Sequence, residues 1–151
     1  MSHSRLAALV ALPVLLAHAA VAETKVETRV EAAPAPAGLQ VELNAAETSE
    51  ANCKLTFLIT NRLETALDKA VYETVLFDQN GTVDRLTLFD FGALPVGRPR
   101  VRQFVVPQTS CENLSRILFN GAQTCTGEGV DAGTCESDLG LTSRTEIEVL
   151  G

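Results

Sequence analysis

Residues 53–61 read CKLTFLITN, and their alternation decides the fold. Cys53, Leu55, Phe57 and Ile59 fall on one side of an extended chain; Lys54, Thr56, Leu58 and Thr60 fall on the other. A period of two marks a strand with one buried face, and Asn61 ends it. Downstream, Val71, Glu73, Val75 and Phe77 alternate with Tyr72, Thr74 and Leu76. That strand is apolar on both faces near its end, as a central strand is. Asp78-Gln79-Asn80-Gly81 follows as a hairpin turn, because Asn and Gly accept the positive φ such turns need. Thr82–Phe91 is the partner strand, with Asp90 toward solvent between the core-facing Phe89 and Phe91. Gly92 to Pro99, with two Gly and two Pro, takes the chain out of the sheet.

Further strands are expected at Leu39–Leu43, Arg100–Val106, Ser115–Asn120 and Thr145–Leu150. Arg62–Lys69 and Cys111–Leu114 suit single helical turns. Outside the N-terminal leader no stretch carries a helical apolar stripe, and no internal repeat occurs. The reading is all-β: an immunoglobulin-like two-sheet antiparallel sandwich of about seven strands.

The chain has 151 residues and a formal charge of -7. An acidic chain lacks the Lys/Arg clusters that bind nucleic acid, so no nucleic-acid partner is expected. With 46% apolar residues it can build a core. Residues 1–22 read as a signal peptide. They run from a short basic start (Met1–Arg5) through an apolar Leu6–Ala17 to Ala20-Val21-Ala22 at the cleavage site, with Ala17-His18-Ala19 as a second option. The apolar run falls short of the roughly 20 residues that span a bilayer, so no membrane span is expected after cleavage. Arg5 stands alone, without the twin arginines of a Tat signal. Residues 23–38 read as a Pro/Ala-rich linker in which Val26, Thr28 and Val30 alternate, and residues 39–151 form the sandwich domain. A periplasmic location follows.

Cleavage removes Arg5, taking the charge to -8, and removes both histidines, His3 and His18. Without His, the mature chain has no Ser-His-Asp or Cys-His nucleophile and no His-ligated metal. Export and histidine loss together point away from an enzyme; no catalytic residue, metal or cofactor is expected.

Cys53, Cys111, Cys125 and Cys135 form an even set in an exported chain, which reads as disulfides. In an immunoglobulin-like sandwich the second and sixth strands run parallel in opposite sheets. Cys53 opens the second and Cys111 lies just before the sixth, so the pairs Cys53–Cys111 and Cys125–Cys135 are expected. No C-x-x-C spacing favours a thiolate metal site or a redox pair.

The only local positive concentration is Gly97-Arg98-Pro99-Arg100-Val101-Arg102. On an extended chain Arg98, Arg100 and Arg102 point one way, spaced by roughly 7 Å, and each can fork onto a carboxylate or phosphate. They read either as a binding ribbon for an acidic peptide, anionic lipid or glycan, or as edge protection paired with Asp84, Asp90 or Glu73. Asp78, Asp84, Glu128, Asp131, Glu136 and Asp138 lack the spacing of a Ca²⁺ loop and read as solvated acids.

CKLTFLITN, VLFDQNG, LFDFGALPVGRPRVRQF and SRTEIEVLG resemble a small group of exported alphaproteobacterial proteins labelled Tat pathway signal sequence domain proteins. The resemblance covers about Cys53–Gly151. It implies a Gram-negative periplasm and no activity. The strand plan is also similar to extracytoplasmic sandwich domains of the FxLYD type, which concerns the fold alone.

The functional expectation is a non-enzymatic periplasmic interaction module of unknown partner, docking through a strand edge or the Arg98/Arg100/Arg102 ribbon. The alternatives are a binder of anionic lipid or glycan, and a small hydrolase using carboxylates alone.

Overall fold

The computed structural model describes residues 36–151; the leader and most of the linker lie outside the described residues. Eight strands follow in order: β1 (Leu39–Ser49), β2 (Asn52–Asn61), β3 (Leu67–Asp78), β4 (Val83–Leu94), β5 (Arg100–Val106), β6 (Leu114–Thr126), β7 (Gly140–Ser143) and β8 (Glu148–Leu150). They form two four-stranded sheets, ordered β5-β2-β1-β7 and β4-β3-β6-β8, packed against each other as a two-sheet sandwich. Most neighbours are antiparallel, but β1–β7 and β6–β8 are parallel.

The period of two in β2 becomes burial: Cys53, Leu55, Phe57, Ile59 and Asn61 face inward, and each residue between them is partly exposed. Phe57 sits among Phe89, Phe91, Phe104 and Phe119, with ring centroids 5.4 to 6.2 Å away. Tyr72 joins from β3, edge-on to Phe119 at 5.3 Å. Tilted and edge-to-face rings of this kind match the positive rim of one ring to the negative face of another. β3 lies between β4 and β6 and buries residues on both faces, Tyr72, Thr74 and Leu76 on one and Val71 and Val75 on the other.

Several boundaries differ from the sequence reading. β1 runs on through a register shift at Leu43/Ala45 to Ser49, its polar end pairing with Asn52. β4 continues to Leu94 because Gly92, at φ 66, lets the strand kink without leaving the sheet. Residues 62–66 are a loop and not a helical turn, and β3 starts at Leu67; a 3₁₀ turn does form at Cys111–Asn113. The eighth strand is β7, four residues paired with Gln40–Leu43. Its continuation bends at residues 144–147, so only Glu148–Leu150 forms the last strand.

Two disulfides brace the sandwich, Cys53–Cys111 and Cys125–Cys135, with Cα atoms 4.7 and 5.9 Å apart. The first ties the start of β2 to the turn before β6. The second holds the loop after β6, which Tyr72 secures by donating from its hydroxyl to the Cys135 carbonyl at 2.6 Å. Burial raises the Tyr72 pKa further above the ordinary phenol value, with the Glu136 charge adding to it, so the hydroxyl stays a donor.

Candidate functional site at the β4 and β5 edges

β4 and β5 are the end strands of their sheets, and each has one edge unpaired within the domain. The link between them, residues 95–99, carries the chain from one sheet to the other. Gly97 takes φ 66 and donates its N–H to the Asn61 carbonyl at 2.8 Å. The buried Asn61 side chain donates to the Thr65 and Leu94 carbonyls at 3.0 and 2.8 Å and accepts the Leu63 N–H at 2.9 Å. One amide thereby holds the β2–β3 loop against the end of β4.

The arginines do not stand out as a ribbon. Arg100 and Arg102 share the row of β5 that carries Phe104 and Val106, the row turned toward the other sheet; Val101, Gln103 and Val105 face outward. Arg98 precedes the strand in the link. Arg102 donates through Nε to the Phe91 carbonyl at 2.8 Å, and its terminal nitrogens reach the Val101 and Ala93 carbonyls at 3.0 and 3.5 Å. Arg100 bonds only the Pro99 carbonyl, at 3.3 Å. The carboxylates expected to pair with the arginines are engaged elsewhere: Asp84 with Arg85, Asp90 with Lys69 at 3.4 Å, and Glu73 with the Asn120 amide at 2.6 Å. Among the described residues, no carboxylate lies within ion-pair distance of Arg98, Arg100 or Arg102.

Arg85 mirrors Arg102. From β4 it donates to the Pro107 carbonyl, just past β5, at 2.8 Å. Between the two arginines Phe104 stacks on Phe89, centroids 4.4 Å apart and planes 19° from parallel. A cleft of about 110 Å³ opens beside this stack, lined by Arg85, Thr87, Leu88, Phe89, Phe104 and Val105 among others. It is smaller than the roughly 150 Å³ that holds a benzene ring.

The outward faces of the same strands are apolar. Val83, Leu86, Leu88, Val96, Val101 and Val105 are the exposed large hydrophobic side chains among the described residues, and all fall between positions 83 and 105. Leu86 and Val105 are 60% and 61% exposed. Leu86 and Leu88 lie on the outer face of one sheet and Val101 and Val105 on the outer face of the other, so each edge strand carries its own exposed apolar pair beside an unpaired backbone edge. The sequence held a signal for Leu86 and Leu88: they share the parity of Asp90, the solvent side of the Phe89-Asp90-Phe91 alternation. Arg85 had no such signal, since its acceptor is a backbone carbonyl.

Other clefts carry less. One of about 300 Å³ is lined by Ala46, Cys111, Glu112, Thr145, Glu146 and Ile147. Glu112 is held below the ordinary carboxylate range, first by its own backbone N–H and then by the Thr48 and Ser110 hydroxyls. It is therefore an anion at neutral pH, not a proton donor. The acids of the disulfide loop shape the chain locally. Asp131 accepts from the Gly133 N–H and the Thr134 hydroxyl, and Glu136 accepts from the Ala122 N–H. Among the described residues, no group of three His, Cys, Asp or Glu side chains is placed to hold a metal ion, and no helix is long and apolar enough to cross a membrane.

No protein-family model, curated protein or solved structure matches this chain. The two disulfides place the domain in an oxidising, extracytoplasmic environment.

Proposed function

We propose that the protein is a non-enzymatic periplasmic interaction module, exported by the leader at residues 1–22, whose immunoglobulin-like domain docks a protein partner on its β4/β5 side. The partner presents an extended segment with apolar side chains at alternate residues, laid against an unpaired strand edge, and carboxylates that meet Arg98 and Arg100. The observation that carries this reading is the confinement of every exposed large apolar side chain among the described residues to the stretch 83–105, on two edge strands and their link. Strand addition draws affinity from backbone hydrogen bonds and specificity from alternate side chains, and both are on offer here. Arg98 and Arg100, without carboxylate partners in the domain, add the charge complementarity that steers an acidic segment.

The absence of His after residue 22 supports a binding role over His-dependent hydrolysis. Arg102 is excluded from the proposed contact set, because its guanidinium is spent on the domain's own carbonyls.

The test is a cross-linked pull-down from periplasm using wild type, Leu86→Lys/Leu88→Lys, and Arg98→Glu/Arg100→Glu, each shown to be folded and oxidised. The expected result is a specific protein lost at least about tenfold with the leucine pair, a change of about 1.4 kcal/mol or more in binding. A smaller, salt-sensitive loss is expected with the arginine pair. Equal recovery by all three proteins would overturn the reading. Binding to anionic vesicles that depends on Arg98 and Arg100, with no protein recovered, would replace it with lipid recognition.

A further inference from the structure

The hairpin between β3 and β4 reads Asp78-Gln79-Asn80-Gly81-Thr82. Asn80-Gly81-Thr82 has the Asn-x-Ser/Thr form of an N-glycosylation acceptor, with no proline at the middle position. Asp78 stands two residues before the asparagine. A second Asn-x-Ser/Thr occurs at Asn113-Leu114-Ser115, preceded at the same distance by Cys111.

The fold treats the two differently. At the hairpin, one Asp78 carboxylate oxygen accepts the N–H groups of Asn80 and Thr82 at 2.9 and 2.8 Å, and the Gly81 N–H bonds the Asp78 carbonyl at 3.0 Å. These bonds hold the turn from beneath and leave its side chains outward. Asn80, Gly81 and Thr82 are all exposed, and a Cβ built on Gly81 would meet no atom within 4 Å. Neither the Asn80 amide nor the Thr82 hydroxyl hydrogen-bonds to another described residue. At the second motif Leu114 is buried, and the Ser115 hydroxyl is bonded to the Asp78 carbonyl. A transferase must seat the asparagine amide and the hydroxyl two residues on in a single site. The folded domain can offer that pair only at Asn80.

We propose that Asn80 is an N-glycan acceptor, modified on the folded domain by an extracytoplasmic oligosaccharyltransferase. Asn80 Nδ2 attacks the anomeric carbon of a lipid diphosphate-linked oligosaccharide. The new bond is C–N, and the bond broken is the C–O to the diphosphate. The lipid diphosphate leaves with the electron pair, the amide gives up one proton, and nothing is oxidised or reduced. The proposal does not rest on the docking reading, although Thr82 adjoins Val83 at the start of that surface.

The deciding measurement is peptide mass mapping of the exported, oxidised protein from its own host, for wild type, Asn80→Gln and Thr82→Val. The expected wild-type result is an Asn80 peptide heavier by an oligosaccharide and an unmodified Asn113 peptide. Both variants should lose the added mass; the Asn80 side chain is exposed and hydrogen-bonds to no other described residue, so Asn80→Gln leaves the fold intact. An unmodified Asn80 peptide, equal occupancy at Asn113, or a gain no larger than hydrolysis of the amide to the acid would each overturn the proposal.

Discussion

Arg102 on β5 donates to the carbonyl of Phe91 on β4, so a cation on the edge strand of one sheet satisfies the backbone of the edge strand of the other. Open strand edges invite pairing with stray chains, and charge at an edge is a common guard. Here the guard is also a strut. It saturates backbone acceptors at one end of the β4/β5 side and fastens the sheets together, while the stretch from Val83 to Leu88 stays free.

Arg102→Ala is expected to lower the unfolding free energy by about 1.5 to 3 kcal/mol, the range for hydrogen bonds made by charged groups. Arg100→Ala, which gives up only a contact to its neighbour's carbonyl, should stay within about 0.5 kcal/mol of wild type. Urea titrations followed by circular dichroism read both values. Equal losses would show that Arg102 acts as surface charge and not as a strut.

What the sequence made legible follows from burial. Residues 53–61 alternate because one side of β2 meets the other sheet, and Phe89-Asp90-Phe91 alternates for the same reason; two sheets follow from such strands. β7 escaped because Gly140–Ser143 has no alternation to read: it is placed by backbone pairing with β1, which leaves no side-chain pattern. The strut role of Arg102 was hidden for a related cause. The spacing of the arginines shows which way they point relative to one another, but Arg102 finds acceptors in the Phe91 and Ala93 carbonyls of β4, and any sequence could supply those.

Asn61→Ala should cost about 3 kcal/mol, because it leaves the buried Leu94 carbonyl and the part-buried Thr65 carbonyl and Leu63 N–H short of a partner, at about 1 to 3 kcal/mol for a fully buried unsatisfied group and less for the other two. Asn61→Asp keeps the acceptor for the Leu63 N–H but turns a carboxylate toward the Leu94 carbonyl. It should fare no better. A thermal melt of each variant is the measurement, and retention of wild-type stability by either would show that the loop packs without the amide.

The disulfides should contribute unequally. They close separations of 58 and 10 residues, for which loop-closure entropy gives about 4 and about 3 kcal/mol. Cys53→Ser/Cys111→Ser is therefore expected to destabilise more than Cys125→Ala/Cys135→Ala in equilibrium urea unfolding. The reverse order would mean that packing around the buried Cys135 outweighs chain entropy.

Glu42 predicts a specific acid sensitivity. Its carboxylate accepts from Arg144 Nε at 2.7 Å and from the Asn44 amide at 2.9 Å, and these bonds, Arg144 first, hold its pKa below the ordinary value of 4.5. A lowered folded-state pKa means stability that is present above the unfolded value and is lost as pH falls through the folded one. Glu42→Gln should thus be less stable than wild type at neutral pH, with the gap closing on acidification below about 4.5. Denaturation curves collected across that range test it; a constant gap would remove Glu42 from the acid response.

The Cys53–Cys111 bond has a further consequence for survival outside the cell's reducing interior. It encloses β3, β4, β5 and the exposed Asn80-Gly81 tip within one covalent ring. A protease that cuts anywhere between those cysteines opens the ring without releasing a fragment, so a nicked molecule migrates as one species until a reductant parts it into two. Damage at this exposed turn therefore leaves the β4/β5 side attached to the rest of the domain.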